Sequence, residues 1–327
     1  ATKNINFILN GMTSLRYFIP LTIEANKRSI RSKYFTIPSG KYNCPYLDKN
    51  YENLVQFSKE HDFDIEGVSA VSNYPGLTFF IEGDGIKYLG KKHVKVCLTY
   101  MTDFIGSSGR YVEQCDKIIF PSHFFAQYYK KEFNKNLYLG SPKYDIELKD
   151  EDILSKYNLT DDKKALVMFP RNRDLHLIDI KKIYRSLSDL GYKIMVKTRG
   201  KDPVTDGGNR GDHYFEDCSW FPHTGMELIK VSDIVINFSS TAIKECVLLN
   251  KPVVNFHIKP FKKPLDFLYN YGYCDMYEKD VDEDKLKESI QRLTTASLED
   301  EFELSIQNHL FPVKDTCKRI LDYLEVK

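Results

Sequence analysis

Neither sign of charge predominates in this chain: 47 lysines and arginines stand against 46 aspartates and glutamates in 327 residues. Without a net field, recruitment of nucleic acid or of an anionic membrane surface is not expected. The local basic group Lys259, Lys262 and Lys263 reads as a solvated loop. Long apolar runs are missing as well. Nothing approaches the roughly 18–20 residues that a membrane-spanning helix needs. The opening ATKNINFILNGMT has neither the basic head nor the apolar stretch of a signal peptide. Cysteines are few, seven in all, and never stand as C-x-x-C, which argues against a disulfide framework and against a zinc site. They read as small core residues in a reducing compartment. Short-period repeats and low-complexity blocks are also lacking. These absences leave a globular chain, expected in the cytoplasm, with no integral membrane segment and no nucleic-acid partner.

What is present is enough chain for two hydrophobic cores, with 42% apolar and 28% charged residues. Short β-branched or aromatic runs alternate with helix-period segments, the rhythm of βα units on parallel sheets. The first strand is Ile5–Leu9; Gly11-Met12-Thr13 makes a turn, and Ser14 is placed to cap a helix Leu15–Lys27. Strands follow at Lys33–Ile37, Leu77–Ile81, Val94–Tyr100, Lys117–Pro121 and Leu137–Leu139, with a helix at Phe124–Phe133. Gly140-Ser141-Pro142-Lys143-Tyr144-Asp145 and the polar stretch after it mark a domain boundary. A second series then runs helix Glu151–Tyr157, strand Lys164–Phe169, helix Leu175–Leu190, strand Lys193–Lys197 and loop Gly200–Asp212. Helix Gly225–Val231, strand Asp233–Asn237, helix Thr241–Leu249 and strand Pro252–Phe256 complete it. Helices Glu283–Leu293, Glu299–Asn308 and Val313–Leu324 close the chain.

The most informative stretch is Val231–Phe256, VSDIVINFSSTAIKECVLLNKPVVNF. It reads as strand, Ser-Ser-Thr turn, amphipathic helix, Pro, strand. Ser239, Ser240 and Thr241 at a helix start offer hydroxyls and free N–H groups suited to a phosphate. Glu245, four residues beyond Thr241, is spaced to face the same ligand and to accept from a ribose diol. The plain alternative is a capping serine and a solvated glutamate.

This stretch resembles the donor-binding motif of two families with the GT-B fold. In UDP-GlcNAc 2-epimerases the pattern is D-S-G-G-x-Q-E-E before a G-K-P strand. In CDP-glycerol glycerophosphotransferases it is D-Y-S-S-x-x-x-D before an x-x-P strand. Ser239, Ser240, Glu245, Lys251 and Pro252 fall at matching positions. Gly140–Asp145 resembles the G-x-P-x-x-D entering the second domain, Leu166–Asp174 its first strand and loop, and Tyr192–Lys197 the strand before an H-P pair. The resemblance covers roughly residues 140–325. It implies an α/β GT-B architecture, two Rossmann-like doubly wound domains facing across a cleft. Residues 1–147 would be the acceptor-side domain, 148–310 the donor-binding domain, and 311–327 a helix returning to the first. It also implies a transferase using a UDP- or CDP-linked sugar or polyol in glycan or surface-polysaccharide synthesis, with Ser239, Ser240 and Thr241 around the diphosphate and Glu245 on the ribose. The partners implied are a nucleotide-diphosphate donor and a sugar or glycan acceptor, with no cofactor.

The departures keep two alternatives open, an epimerase-like enzyme and a non-catalytic nucleotide-sugar-binding protein. The epimerase T-x-H-R becomes Pro170-Arg171-Asn172-Arg173, and H-x-E-A-G is missing. The W-H-G of the glycerophosphotransferases has Tyr100–Phe104 as its nearest equivalent, and their H-P becomes Thr198-Arg199.

For chemistry, Arg171, Arg173, Lys197 and Arg199 leave two strand ends where open α/β sheets bind ligands, placed to clamp phosphates or to make surface ion pairs. Asp103, in a polar Gly-rich loop, is the candidate base, and Gly106–Arg110 a cradle beside it. Glu82 and Asp84 are its rivals, although E-G-D-G also reads as a hairpin turn. Gly11 permits a tight first turn, and Arg16 follows it toward the ligand or on an exposed helix face. His213, His223 and His257 share no metal-ligand spacing, and the loop Asp202–Asp212 lacks a calcium pattern. No metal is expected, since Arg and Lys can serve as counter-charge.

Overall fold

The computed structural model describes residues 4–39, 41–99, 111–127, 133–217, 219–258, 274–277, 281–295 and 301–326. The chain divides into two compact units, residues 1–146 with 309–327, and residues 147–308.

The first unit is built on seven strands: β1 (Asn4–Leu9), β2 (Arg31–Thr36), β3 (Phe63–Gly67), β4 (Gly76–Ile81), β5 (His93–Leu98), β6 (Lys117–Ile119) and β7 (Asn136–Leu137). All are parallel, in the order β3-β2-β1-β4-β5-β6-β7. The helices are α1 (Leu15–Lys27), α2 (Asp48–His61) and the short α3 (His123–Ala126). The abundant aromatics fill this core. Phe7 lies 5.0 Å from Phe18, 4.9 Å from Tyr34 and 5.3 Å from Phe79, centroid to centroid. Tyr34 stacks on Phe63 at 4.0 Å. It is fully buried, and its hydroxyl meets Thr22 Oγ1 at 2.7 Å, so the polar tip is satisfied. Burial pushes that phenol's pKa up.

The second unit has six strands after α4 (Asp150–Lys156). They are β8 (Lys164–Met168), β9 (Lys193–Arg199), β10 (His213–Asp217), β11 (Ile234–Asn237), β12 (Val253–Phe256) and β13 (Cys274–Tyr277). These too are all parallel, in the order β10-β9-β8-β11-β12-β13. Its helices are α5 (Ile180–Asp189), α6 (Thr224–Val231), α7 (Ile243–Leu248), α8 (Glu283–Thr295) and most of α9 (Glu301–Leu310). Strands covered on both faces carry continuous apolar runs. Ala165–Val167, Ile234–Ile236 and Val253–Val254 are accordingly almost wholly inaccessible.

The last helix, α10 (Thr316–Tyr323), belongs to the first unit and packs on α1. Asp145 Oδ2 accepts from the Cys317 N–H at 2.8 Å, and Arg28 donates to the carbonyls of Val326 (2.7 Å) and Lys318 (3.2 Å). Gly140, at φ +98°, permits this closeness: a Cβ there would stand 2.1 Å from Thr316 Oγ1.

Several sequence expectations are corrected. Ser14 makes no capping bond; it ends a 3₁₀ turn, Met12–Ser14, that runs into α1. The helix expected from Leu175 starts at Ile180, because Asn172–Leu177 is 3₁₀ and Asp179 caps, its carboxylate accepting from Lys182 N. E-G-D-G is no hairpin, since β4 and β5 are parallel. Arg16 is buried rather than exposed. The six cysteines described are unpaired and buried; Cys218 and Lys259, Lys262 and Lys263 lie outside the described residues, as does part of the expected helix Phe124–Phe133. No helix among the described residues is long and apolar enough to cross a membrane.

Candidate functional site

In an open parallel sheet, ligands bind outside the carboxyl ends of the two strands where the order reverses. In the second unit these strands are β8 and β11. The segment leaving β8 carries Arg171 and Arg173; the segment leaving β11 carries Ser239, Ser240 and Thr241. Two sequence candidates from separate parts of the chain thus flank one switch point.

The β8 turn is anchored rather than loose. Asn172 Nδ2 donates to Asp202 Oδ1 (2.7 Å) and to the Pro203 carbonyl (2.6 Å). Arg171 and Arg173 project from it, both exposed. Arg173 pairs with its neighbour Asp174 at 3.8 Å with the arginine side chain 65% exposed, a weak pair. Arg199 ends β9, one strand further out, and is exposed too. Of the four candidate cations, Lys197 alone is buried. A Cβ on Gly225 would stand 3.5 Å from Lys197 Cε and 3.1 Å from His223 Nε2. The lysine chain and the imidazole therefore both border Gly225 at the start of α6. Nothing in their 26-residue spacing couples the two in sequence; the parallel pairing of β9 with β10 brings the chain that leads to His223 alongside Lys197.

The Ser-Ser-Thr turn is built differently from a helix cap. α7 has six residues, and its N-cap is Ala242 with no side-chain bond. Ser239 sits in the left-handed region at φ 58°. Its hydroxyl donates to the Phe256 carbonyl at 3.1 Å, and its N–H to Asn255 Oδ1 at 3.0 Å. Asn255 Oδ1 also accepts from Asn237 Nδ2 at 2.9 Å, and Asn237 Nδ2 donates to the Ser240 carbonyl at 2.9 Å. Asn237 and Asn255 are directly paired across β11 and β12, so the strand ends themselves shape the turn. Ser240 Oγ accepts from Ala242 N at 3.3 Å. The N–H groups of Ser240 and Thr241 carry no hydrogen bond among the described residues and remain as two successive donors. Glu245, in the first turn of α7, is 3% exposed, so the solvated-face alternative does not hold. Burial, reinforced by the Glu245 charge, holds the neighbouring Cys246 thiol far above its ordinary pKa.

The first unit has its own switch point, between β1 and β4. Gly11 follows β1 in extended backbone at φ −153°, so the turn makes no demand for left-handed freedom. The demand is for space: a Cβ would stand 2.5 Å from Asn43 Nδ2, and the Met12 N–H bonds the Asn43 carbonyl at 2.9 Å. Glu82 and Asp84 leave β4. Gly85, at φ +79°, would drive a Cβ to 2.3 Å from Ile8 Cγ2, so this turn folds down over the end of β1. Glu82 is itself left-handed at φ 52° and accepts from the Tyr111 hydroxyl. Burial first, and the Glu82 charge second, push that phenol's pKa up. Asp84 is half-buried, and burial raises its carboxyl pKa, with the Asn10 side chain and the Lys41 charge opposing. Asp103 and Gly106–Arg110 lie outside the described residues.

No family model matches the chain, and no curated protein does. Solved structures do. The UDP-GlcNAc 2-epimerase of Neisseria meningitidis bound to UDP-GlcNAc superposes with TM-score 0.68 at 11% identity, over 99% of this chain and 100% of that one. The fold is GT-B. The glycotransferase of kitacinnamycin aligns with TM-score 0.65 and 10% identity, covering 99% of both chains. The wall teichoic acid polymerase TagF, soaked with CDPG, gives TM-score 0.64 at 15% identity, over 99% of this chain and 89% of its own. At such identities the likeness is one of fold, and each GT-B half here presents its candidate residues at its own switch point. Among the described residues no three His, Cys, Asp or Glu side chains gather as a metal set.

Proposed function

We propose that this chain is a metal-independent transferase that takes a sugar or polyol from a nucleotide-diphosphate donor, UDP- or CDP-linked, held by the second unit. The observation that carries the reading is the switch point between β8 and β11. There an arginine-bearing turn and a serine turn with two open N–H groups leave adjacent strand ends, with the buried carboxylate of Glu245 on the next helix. Arg171, Arg173 or Arg199 neutralises the diphosphate, by the bidentate geometry that guanidinium groups favour for phosphate oxygens. Ser240 and Thr241 donate to it, and Glu245 accepts from the ribose diol. The GT-B neighbours support the reading, since one is bound to UDP-GlcNAc and another was soaked with CDPG.

Calorimetry with UDP, CDP, uridine and cytidine tests it. Nucleoside diphosphate should bind far more tightly than nucleoside, and the difference should shrink as salt rises. Equal affinity for nucleoside and diphosphate removes the phosphate site and the transferase reading together. Incubation with UDP-GlcNAc should give no 2-epimer, since the turn after β8 carries arginines and no histidine before Asp174.

A further inference from the structure

The start of α5 borders a pocket of about 510 Å³, a volume suited to a small molecule. Three segments of the second unit wall it. They are the end of the 3₁₀ turn Asn172–Leu177 with the first residues of α5, the short turn Gly207–Asn209, and Val281 just before α8. Leu175, Leu177, Ile178, Ile180 and Val281 make much of the lining apolar. Ile178, Ile180 and Val281 are also part of the unit's core, so this wall is held in place.

The polar groups of the pocket are only partly satisfied. Asp179 caps α5 by accepting from Lys182 N, whereas the N–H groups of Ile180 and Lys181 carry no hydrogen bond among the described residues. Lys181 and Lys182 line the pocket and make no ion pair among the described residues. Set against Asp179, they leave one net positive charge, added to the positive end of a ten-residue helix. Asn209 supplies a separate observation. It lines the same pocket at 8% exposure, and its Oδ1 is buried with no donor among the described residues. The residue is fixed by its backbone: its N–H bonds the Asp206 carbonyl at 3.0 Å, and its carbonyl accepts from the Tyr184 hydroxyl at 2.6 Å. A buried acceptor without a donor costs free energy that a ligand N–H or O–H would recover.

We propose that this pocket binds a small monocarboxylic acid with an apolar body and an N–H or hydroxyl donor. The carboxylate takes the open N–H groups of α5 and the lysine charge. The ligand's donor meets Asn209 Oδ1, and its apolar body covers the Leu, Ile and Val wall. A dianion such as phosphate is disfavoured, because one net positive charge matches one negative charge and the exposed Asp179 stands beside it. The pocket uses none of the arginine, serine or glutamate side chains assigned to the nucleotide, so it stands whether or not the donor reading holds.

Calorimetry on the intact chain with N-acetyl-leucine and leucic acid tests the site. The controls are isocaproic acid, which lacks the donor, N-acetyl-leucinamide, which lacks the charge, and inorganic phosphate. At least one of the two acids should bind below about 10 mM and about tenfold more tightly than any control. Asn209→Ala should erase the advantage of leucic acid over isocaproic acid. Lys182→Gln should weaken the acid about tenfold, and UDP should not displace it. Lys182 is only half-buried, so that arm holds even if Asn209→Ala fails to fold. No binding of either acid at about 10 mM, a control that binds as tightly, affinity unmoved by Lys182→Gln, or displacement by UDP overturns the proposal.

Discussion

Ser239 shows how a single residue's role depends on what stands around it. From the sequence it is a hydroxyl for phosphate; in the structure its hydroxyl is engaged with the Phe256 carbonyl and its backbone is left-handed. Ser239→Ala loses the bond and keeps the strained φ, so thermal unfolding should report a loss of about 1 kcal/mol. Ser239→Gly loses the same bond but relieves a left-handed cost of roughly 1–2 kcal/mol, and should melt close to the unsubstituted chain. Glu245→Gln, at a buried position, should weaken UDP or CDP binding about ten- to hundredfold in calorimetry if the carboxylate accepts from ribose. Asp84 makes a pH prediction. Its folded pKa lies above the unfolded value, so the native state holds a proton that the unfolded state has already released, and the residue's contribution to stability falls as pH rises. Asp84→Asn should therefore raise the melting temperature at neutral pH. The gain should vanish below about pH 4, where the carboxyl is protonated in both states. A stability gain that is equal at both pH values would show that burial of the charge is not its cause.

At the scale of elements, strongly periodic segments were legible and weakly patterned ones were not. β1, α1, β8, β11 and β12 lie within a residue or two of their expected bounds, because continuous apolar runs between turn residues leave few options. α2, β3, β10 and β13 had no such signal. Phe63–Gly67 and His213–Asp217 are polar edge strands, made strands by pairing with β2 and β9 rather than by their own composition. α4 and α6 join through polar contacts that no local pattern shows. Glu227, 4% exposed, accepts from Lys156 Nζ at 2.9 Å and from the Tyr157 hydroxyl at 2.6 Å. Glu227→Ala removes both contacts and should cost about 2–3 kcal/mol in denaturant unfolding. A variant within 0.5 kcal/mol, roughly the scatter of a surface change, would assign the contact no weight.

At the scale of the molecule, each unit owns a sheet and a core, yet the first is discontinuous in sequence. Residues 147–308 expressed alone should melt cooperatively and bind the same nucleotide diphosphate as the whole chain. Residues 1–146 alone should be markedly less stable than the same fragment supplied with a peptide of residues 309–327. Without that peptide Arg28 loses its two carbonyls, Asp145 the Cys317 N–H, and Gly140 the helix packed against it. Circular dichroism melts with and without the peptide decide this; identical melts would show that α10 contributes nothing.

The sequence by itself determined the two βα series, the GT-B resemblance and the identity of the serine turn, because apolar periodicity and turn chemistry are local properties. Only the tertiary structure decided which strand ends stand side by side. Strand order sets the Arg171 and Ser239 turns at adjacent strand ends, separates Arg199 by one further strand, brings both Lys197 and His223 to Gly225, and lays the Gly85 turn over Ile8. Those neighbours lie tens of residues apart along the chain. Their proximity follows from parallel pairing and crossover connections, which no local pattern encodes.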